Sequence, residues 1–241
     1  MRRRYFCGAF AGVLVIAAAV SAAAGGATPG LKHGRIHRIT NSTSTNWSGY
    51  AVTGSRFTSV SASWKQPTAT CSATAYSSFW VGLDGDTSNT VEQTGTDADC
   101  SGKSPQYYAW YEMYPKFPVN LSQPVAPGDT MTASVTTDGR GNFTLTISDA
   151  SRGWTNVTKA KLKSAKLSSA EVIAEAPSSS GGVLPLANFG TASFTAAKAN
   201  GSLLTSTTPN IDPITMANGS TVKAQPGSIS GGAFSVTWKH S

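Results

Sequence analysis

Past residue 45, short runs of β-branched and aromatic residues alternate with clusters of Gly, Asn, Asp, Ser and Pro. The runs fall at residues 50–52, 57–65, 79–83, 90–95, 107–114, 130–136, 143–147, 157–167, 170–176, 190–194 and 233–238. Apolar and polar positions repeating every two residues between turn formers predict strands. No helical period competes; the only Ala-rich stretch, residues 194–199, is too short. Roughly 195 residues of short strands without internal repeats suit one all-β domain, a large two-sheet sandwich over residues 46–241. Lys159, Lys161 and Lys163 alternate along one run, which keeps an exposed strand face or edge soluble.

Alternation also sorts polar residues onto faces. Around residue 93, Val91 and Gln93 share one face, and Glu92 and Thr94 the other. In residues 107–114, Tyr108, Trp110, Glu112 and Tyr114 fall together, a carboxylate among aromatics as in a binding cleft for sugar or peptide. In residues 170–176, Glu171, Ile173 and Glu175 share a face, an arrangement that is costly unless the acids line a cleft or reach water.

The N-terminal part changes the picture. Residues 1–24 open with Arg2-Arg3-Arg4, continue through an apolar run at residues 9–20 and end in Ala22-Ala23-Ala24. This is the pattern of a secretory signal peptide, and a secreted, extracellular location is expected, without a membrane partner once it is removed. Residues 25–45 read as a linker or short pro-segment with a basic cluster at residues 32–38. The formal net charge is +7, but six of the 19 Lys and Arg lie before Asn46 and none of the 12 acids does. The folded body is therefore close to neutral and lacks a nucleic-acid footprint. Export leaves Cys71 and Cys100, which are expected to pair and to staple the 79–97 stretch, contributing about 3–4 kcal/mol on the chain-entropy model.

Elimination narrows the chemistry. The body holds one histidine, His240, beside the C-terminus, so a Ser-His-Asp or Cys-His machine lacks a positioned base. Zinc lacks ligands, and His33 with His37 makes at most half a site. Asp84-Gly85-Asp86 opens like a calcium loop, but Asn89 and Gly95 break the pattern. Carboxylates remain for acid–base work.

The segments Asn46-Trp47-Ser48-Gly49-Tyr50, Trp80-Val81-Gly82-Leu83-Asp84-Gly85, Gln93-Thr94-Gly95-Thr96-Asp97, residues 107–115 and 170–175, and Pro185-Leu186-Ala187-Asn188-Phe189 occur in that order. Together they resemble the glutamic peptidases (eqolisins, family G1) over about residues 46–194. The resemblance implies a secreted endopeptidase acting at acid pH, with a lectin- or glucanase-like antiparallel double-sheet sandwich of jelly-roll type. It implies a catalytic pair on the concave sheet, Gln93 and Glu175, with Glu171 a non-catalytic neighbour. Trp47, Trp80, Asp84, Asp97, Glu112 and Tyr114 fall where the family lines its cleft. A monomer acting on protein or peptide, with no metal and no cofactor, is expected. The sequence departs from the family at Val172 and Ala176, beside the glutamates, and at Tyr108, where an acid is expected.

Two alternatives stand beside this reading: a carbohydrate-active or carbohydrate-binding sandwich using Glu112 with Glu171 or Glu175, and a peptidase-like fold that only binds. The charge division at Asn46 adds an expectation about regulation. The basic segment 32–38 would lie over the acid-lined cleft at neutral pH and leave as the acids protonate.

Overall fold

In the computed structural model, residues 30–33, 43–54 and 56–241 are described, and among these every regular element is a strand. The signal-peptide stretch, His37 and most of the basic cluster lie outside the described residues. No helix among the described residues is long and apolar enough to cross a membrane.

Fourteen of the strands form one continuous hydrogen-bonded path that folds over on itself into two layers. The first layer runs Trp154–Lys161, Asn142–Asp149, Thr130–Thr137, Ser59–Lys65, Thr191–Ala199, Phe234–Trp238, Thr221–Pro226. The second runs Trp47–Thr53, Ser169–Glu175, Ser78–Leu83, Val91–Ser101, Ser104–Tyr114, Val119–Pro124. Ile211–Asn218 joins them, pairing with Thr221–Pro226 on one side and Trp47–Thr53 on the other. The long strands pair antiparallel throughout.

Between the layers lies the main core, with Trp64, Phe143, Leu145 and Phe194 from the first and Tyr50, Phe79, Val81 and Val172 from the second. The second layer is buried on its outer face as well, where Trp47, Trp80, Trp110, Ile173 and Val91 form a separate apolar cluster. Those residues occupy the alternate positions, so one set of strands has a core side and a cleft side. The expected disulfide is present between Cys71 and Cys100, tying the loop ahead of Ser78–Leu83 to the end of Val91–Ser101. The lysine-bearing Trp154–Lys161 strand lies at a sheet edge with Lys159 and Lys161 exposed, as its alternation predicts. It ends at Lys161 rather than 167, because the chain turns there and Leu167 takes a left-handed backbone, φ 57°.

Candidate active site

On the cleft side, the antiparallel register places side chains in rows. Glu171 is opposite Gly82, Gly82 opposite Gln93, and Gln93 opposite Glu112. The next row is Ile173, Trp80, Gly95 and Trp110, and the one after it Glu175, Ser78, Asp97 and Tyr108. Gln93 and Glu171 are thus two strands apart, about 10 Å between backbones, with a residue lacking a side chain between them. Gly82 is required there. A Cβ would come within 2.9 Å of the Trp80 ring and 3.1 Å of Val91 Cγ1.

Glu175, expected to pair with Gln93, is four residues farther along its strand, about 13 Å from the Glu171 row. Its oxygens are engaged: Oε1 accepts from Asn46 Nδ2 at 3.0 Å and Oε2 from Trp80 Nε1 at 2.7 Å. Glu171 shows the opposite. Fully buried, neither of its oxygens is in hydrogen-bonding geometry with a protein group. Burial raises it well above the ordinary glutamate value; the nearby Ser169 hydroxyl offsets this only partly, and the charges of Asp86 and Asp84 add to it.

Gln93 is fully buried, and its Nε2 donates to Glu112 Oε2 at 2.9 Å. A carboxylate can only accept, so this bond fixes which end of the amide is nitrogen. Gln93 Oε1 has no protein partner. Burial raises Glu112 above the usual glutamate range, although His33 and Gln93 pull it back.

His33 comes from the N-terminal segment. Leu31, Lys32 and His33 lie in the cleft, with Leu31 and His33 buried. Lys32 pairs through both backbone groups with Ser178, N to O at 2.8 Å in each direction. Its Nζ lies 4.6 Å from the Phe117 ring centre and 5.8 Å from that of Tyr114. The His33 backbone N–H donates to Glu112 Oε2 at 3.1 Å, and its Nε2 lies 3.2 Å from Asp97 Oδ2. The imidazole stacks on Trp110 with centroids 3.8 Å apart and planes 6° from parallel. Burial disfavours a charged ring, but Asp97 and Glu112 outweigh it and raise His33 well above 6.5. The expected placement of the basic segment over the acids thus holds for His33, whereas the Lys32 ammonium lies against the Phe117 and Tyr114 rings.

Asp97 is held in turn. Its Oδ1 accepts from Trp110 Nε1 at 2.6 Å, and the Tyr108 hydroxyl lies 2.8 Å from its Oδ2 and 2.7 Å from Asp99 Oδ2. Burial and the charge of Asp97 push Asp99 well above 3.8, and the two carboxyls share the Tyr108 hydroxyl between them. Tyr108, where the family resemblance led one to expect an acid, bridges two acids.

Of the expected cleft residues, Asp97, Glu112 and Tyr114 face the segment in the groove. Trp47 and Trp80 form the apolar floor, edge to face at 5.0 Å. Asp84 does not face that segment. Its carboxylate accepts backbone N–H groups of Lys166, Leu167 and Ser168 at 2.7–2.8 Å, anchoring the loop that leads into Ser169–Glu175. Asn46 and Asp99 were not singled out from the sequence. Asp99's parity with Gln93 and Asp97 was the available signal.

A family model described as the peptidase A4 family matches residues 45–238. The chain belongs to the peptidase A4 family. A stretch of 104 residues is 40% identical to scytalidopepsin B of Scytalidium lignicola, covering 42% of this chain and 39% of that protein. The chain's match thus spans about two fifths of that curated relative. Among solved structures of the family, scytalido-glutamic peptidase with a transition state analogue inhibitor superposes with a TM-score of 0.72 at 27% identity, over 81% of this chain and 98% of that one. SCP-B, a member of the eqolisin family in complex with the tripeptide Ala-Ile-His, superposes with a TM-score of 0.66 at 25% identity, over the same shares. The family's fold is the double-layered all-β architecture described above.

Proposed function

We propose that this chain is an exported endopeptidase in which Gln93 and Glu171 act together on a water above Gly82. One observation carries the chemistry: Gln93 and Glu171 lie on one row across Gly82, and Gln93 Oε1 and both Glu171 oxygens are buried without protein partners. The expected role of Glu175 passes to Glu171, because Glu175 is two rows away and already accepts from Asn46 and Trp80.

Ionised Glu171 takes a proton from the water as its oxygen attacks the peptide carbonyl carbon. The carbonyl oxygen gains negative charge and accepts from the Gln93 N–H that Glu112 leaves free. Collapse of the tetrahedral species breaks the C–N bond, and Glu171 returns the proton to the departing amine. General-base help of this kind is typically worth about 10²–10⁴-fold, and one preorganised donor about 3 kcal/mol.

The occupant of the groove supports a peptide as substrate. Leu31–His33 is a peptide, held by its backbone on Ser178 and Glu112. The relative SCP-B likewise binds a peptide, Ala-Ile-His. We read it as a tethered inhibitor, its docking strongest at neutral pH. The disulfide supports an oxidising, extracytoplasmic destination.

The test is digestion of denatured casein at pH 4–6 with pepstatin present. Gln93→Glu and Glu171→Gln are each expected to lose at least about 100-fold, and Glu175→Gln to retain turnover per folded molecule. Full activity in Glu171→Gln beside a folded but dead Glu175→Gln would restore the other pairing. Hydrolysis of a glycan, indifferent to Gln93, would replace the reading altogether.

A further inference from the structure

The site that holds the His33 side chain has more structure than an inhibitory tether requires. Its floor is the flat face of Trp110, and one wall is Asp97, held by Trp110 Nε1 and Tyr108. The other is Glu112, whose Oε2 meets the occupant's backbone N–H at 3.1 Å and lies 3.6 Å from its Nδ1. The ring is fully enclosed. Resting on the peptidase reading above, we propose that this pocket is a side-chain subsite that selects histidine in the substrate, so that the enzyme favours peptides carrying an imidazole at the position whose backbone N–H meets Glu112.

The geometry discriminates among side chains. A phenylalanine can stack on Trp110 but brings no donor to Asp97 Oδ2, which His33 Nε2 supplies at 3.2 Å. A lysine can reach a carboxylate but has no plane to match the 6° stack and must desolvate a compact ammonium in an enclosed site. An arginine is planar but longer, and the enclosure fits a five-membered ring one methylene from its Cα. An alanine leaves the aromatic face and the carboxylate uncovered. Only an imidazole supplies plane, donor and length together.

Lys32 marks the adjoining position, which is less selective. Its ammonium lies against Phe117, itself 58% exposed, and 3.5 Å from the Pro115 carbonyl. That is an open surface suited to any long side chain, apolar or cationic.

The experiment uses full-length protein carrying His33→Ala, which vacates the pocket while keeping the chain entire. Blocked tripeptides Leu-Lys-X amide, with X as His, Phe, Lys or Ala, are titrated by calorimetry at pH 6. Residual competition from the tethered segment scales all four alike. The His peptide is expected to bind at least about tenfold tighter than the Ala peptide, with that preference lost in an added Asp97→Asn. Should that variant fold poorly, isotope-labelled imidazole in the His peptide gives a second readout: its ring protons must shift upfield on binding, from the Trp110 face. Equal affinity for His and Ala peptides, or no ring shift, overturns the subsite. A peptide-library digest with the same protein separates the two claims. Selective binding with no cleavage sinks the peptidase reading and keeps the subsite; cleavage with no selective binding does the reverse.

Discussion

Gln93 Nε2 donates to Glu112 Oε2 at 2.9 Å, and the same oxygen receives the backbone N–H of His33 at 3.1 Å. Glu112 therefore orients the amide that would face the reacting carbonyl while it grips the bound peptide. Glu112→Gln removes the constraint, because an amide at 112 can present either end and Gln93 is then free to flip. The expected result is a fall in kcat of at least about tenfold that exceeds any change in KM, in a protein of near-native stability. A variant altered only in KM would leave Glu112 a binding residue and nothing more.

Glu175 links Asn46, at the start of the cleft-side strands, to the Trp80 indole. Replacing it with glutamine lets the new side chain accept at one end only, and its NH2 meets a donor at the other. Stability is expected to drop by about 1–3 kcal/mol in urea unfolding, the cost of a buried donor left unmatched. Activity per folded molecule is expected to remain within roughly a factor of three of the parent. Loss of turnover beyond that, with stability intact, contradicts the structural role.

Strand parity made Glu112, Tyr114 and the Glu171–Glu175 pair legible from sequence, because alternation is local. It could not choose between Glu171 and Glu175, which have the same parity. The proposed choice of Glu171 rests on the pairing of Gly82 with both Glu171 and Gln93, and register across strands is set by long-range contacts. The strands at Val119–Pro124, Ile211–Asn218 and Thr221–Pro226 were hidden for a related reason. Each contains a proline, and two are rich in polar residues, so single-sequence signals demote them although Ile211–Asn218 joins the two layers. The charge division at Asn46 pointed to the N-terminal segment, but nothing local singled out His33 as the side chain that enters the pocket.

In the proposed mechanism Glu171 acts as a base only when ionised, so catalysis would gain strength as pH rises through its pKa, which burial and the charges of Asp86 and Asp84 hold well above 4.5. The acid limb of the kcat profile is expected above that value. Asp86→Asn removes one of the charges opposing ionisation and should move the limb to lower pH while the plateau changes less. A limb unmoved in a folded Asp86→Asn protein means that another group titrates there.

Glu92 lies on the core side of its strand, and burial together with the charge of Asp84 raises it to about 9. Its folded pKa exceeds the unfolded one, so its contribution is fully present below about 4.5 and is lost as pH rises toward 9. Between those values the unfolded chain ionises and the folded one does not. At pH 7 the difference amounts to about 3 kcal/mol against folding. Glu92→Gln is therefore expected to stabilise the protein by an amount of that order at pH 7 and by little at pH 4, measured by denaturant unfolding at both. An equal effect at the two pH values would show that packing, not ionisation, governs the site.

His33 gives the tether a pH window. Its docked pKa is raised above 6.5, so docking is favoured below that value and weakens as pH climbs through the docked one. His33 pulls Glu112 downward, so that part of the attraction is present at higher pH and is lost as pH falls through the docked value of Glu112, itself above 4.5. Asp97 faces the ring from one strand and Glu112 from the next, with Tyr108 and Asp99 behind Asp97; Ser178, on the opposite wall, does not titrate. The segment should hold the cleft near neutrality and leave it on acidification. Full-length His33→Ala is accordingly expected to gain at least about tenfold in activity at pH 7, where the parent is blocked, and progressively less as pH falls through the docked value of Glu112. The measurement is initial rates of casein digestion by both proteins across that range. Superimposable profiles would mean that the docked imidazole does not govern access to the cleft.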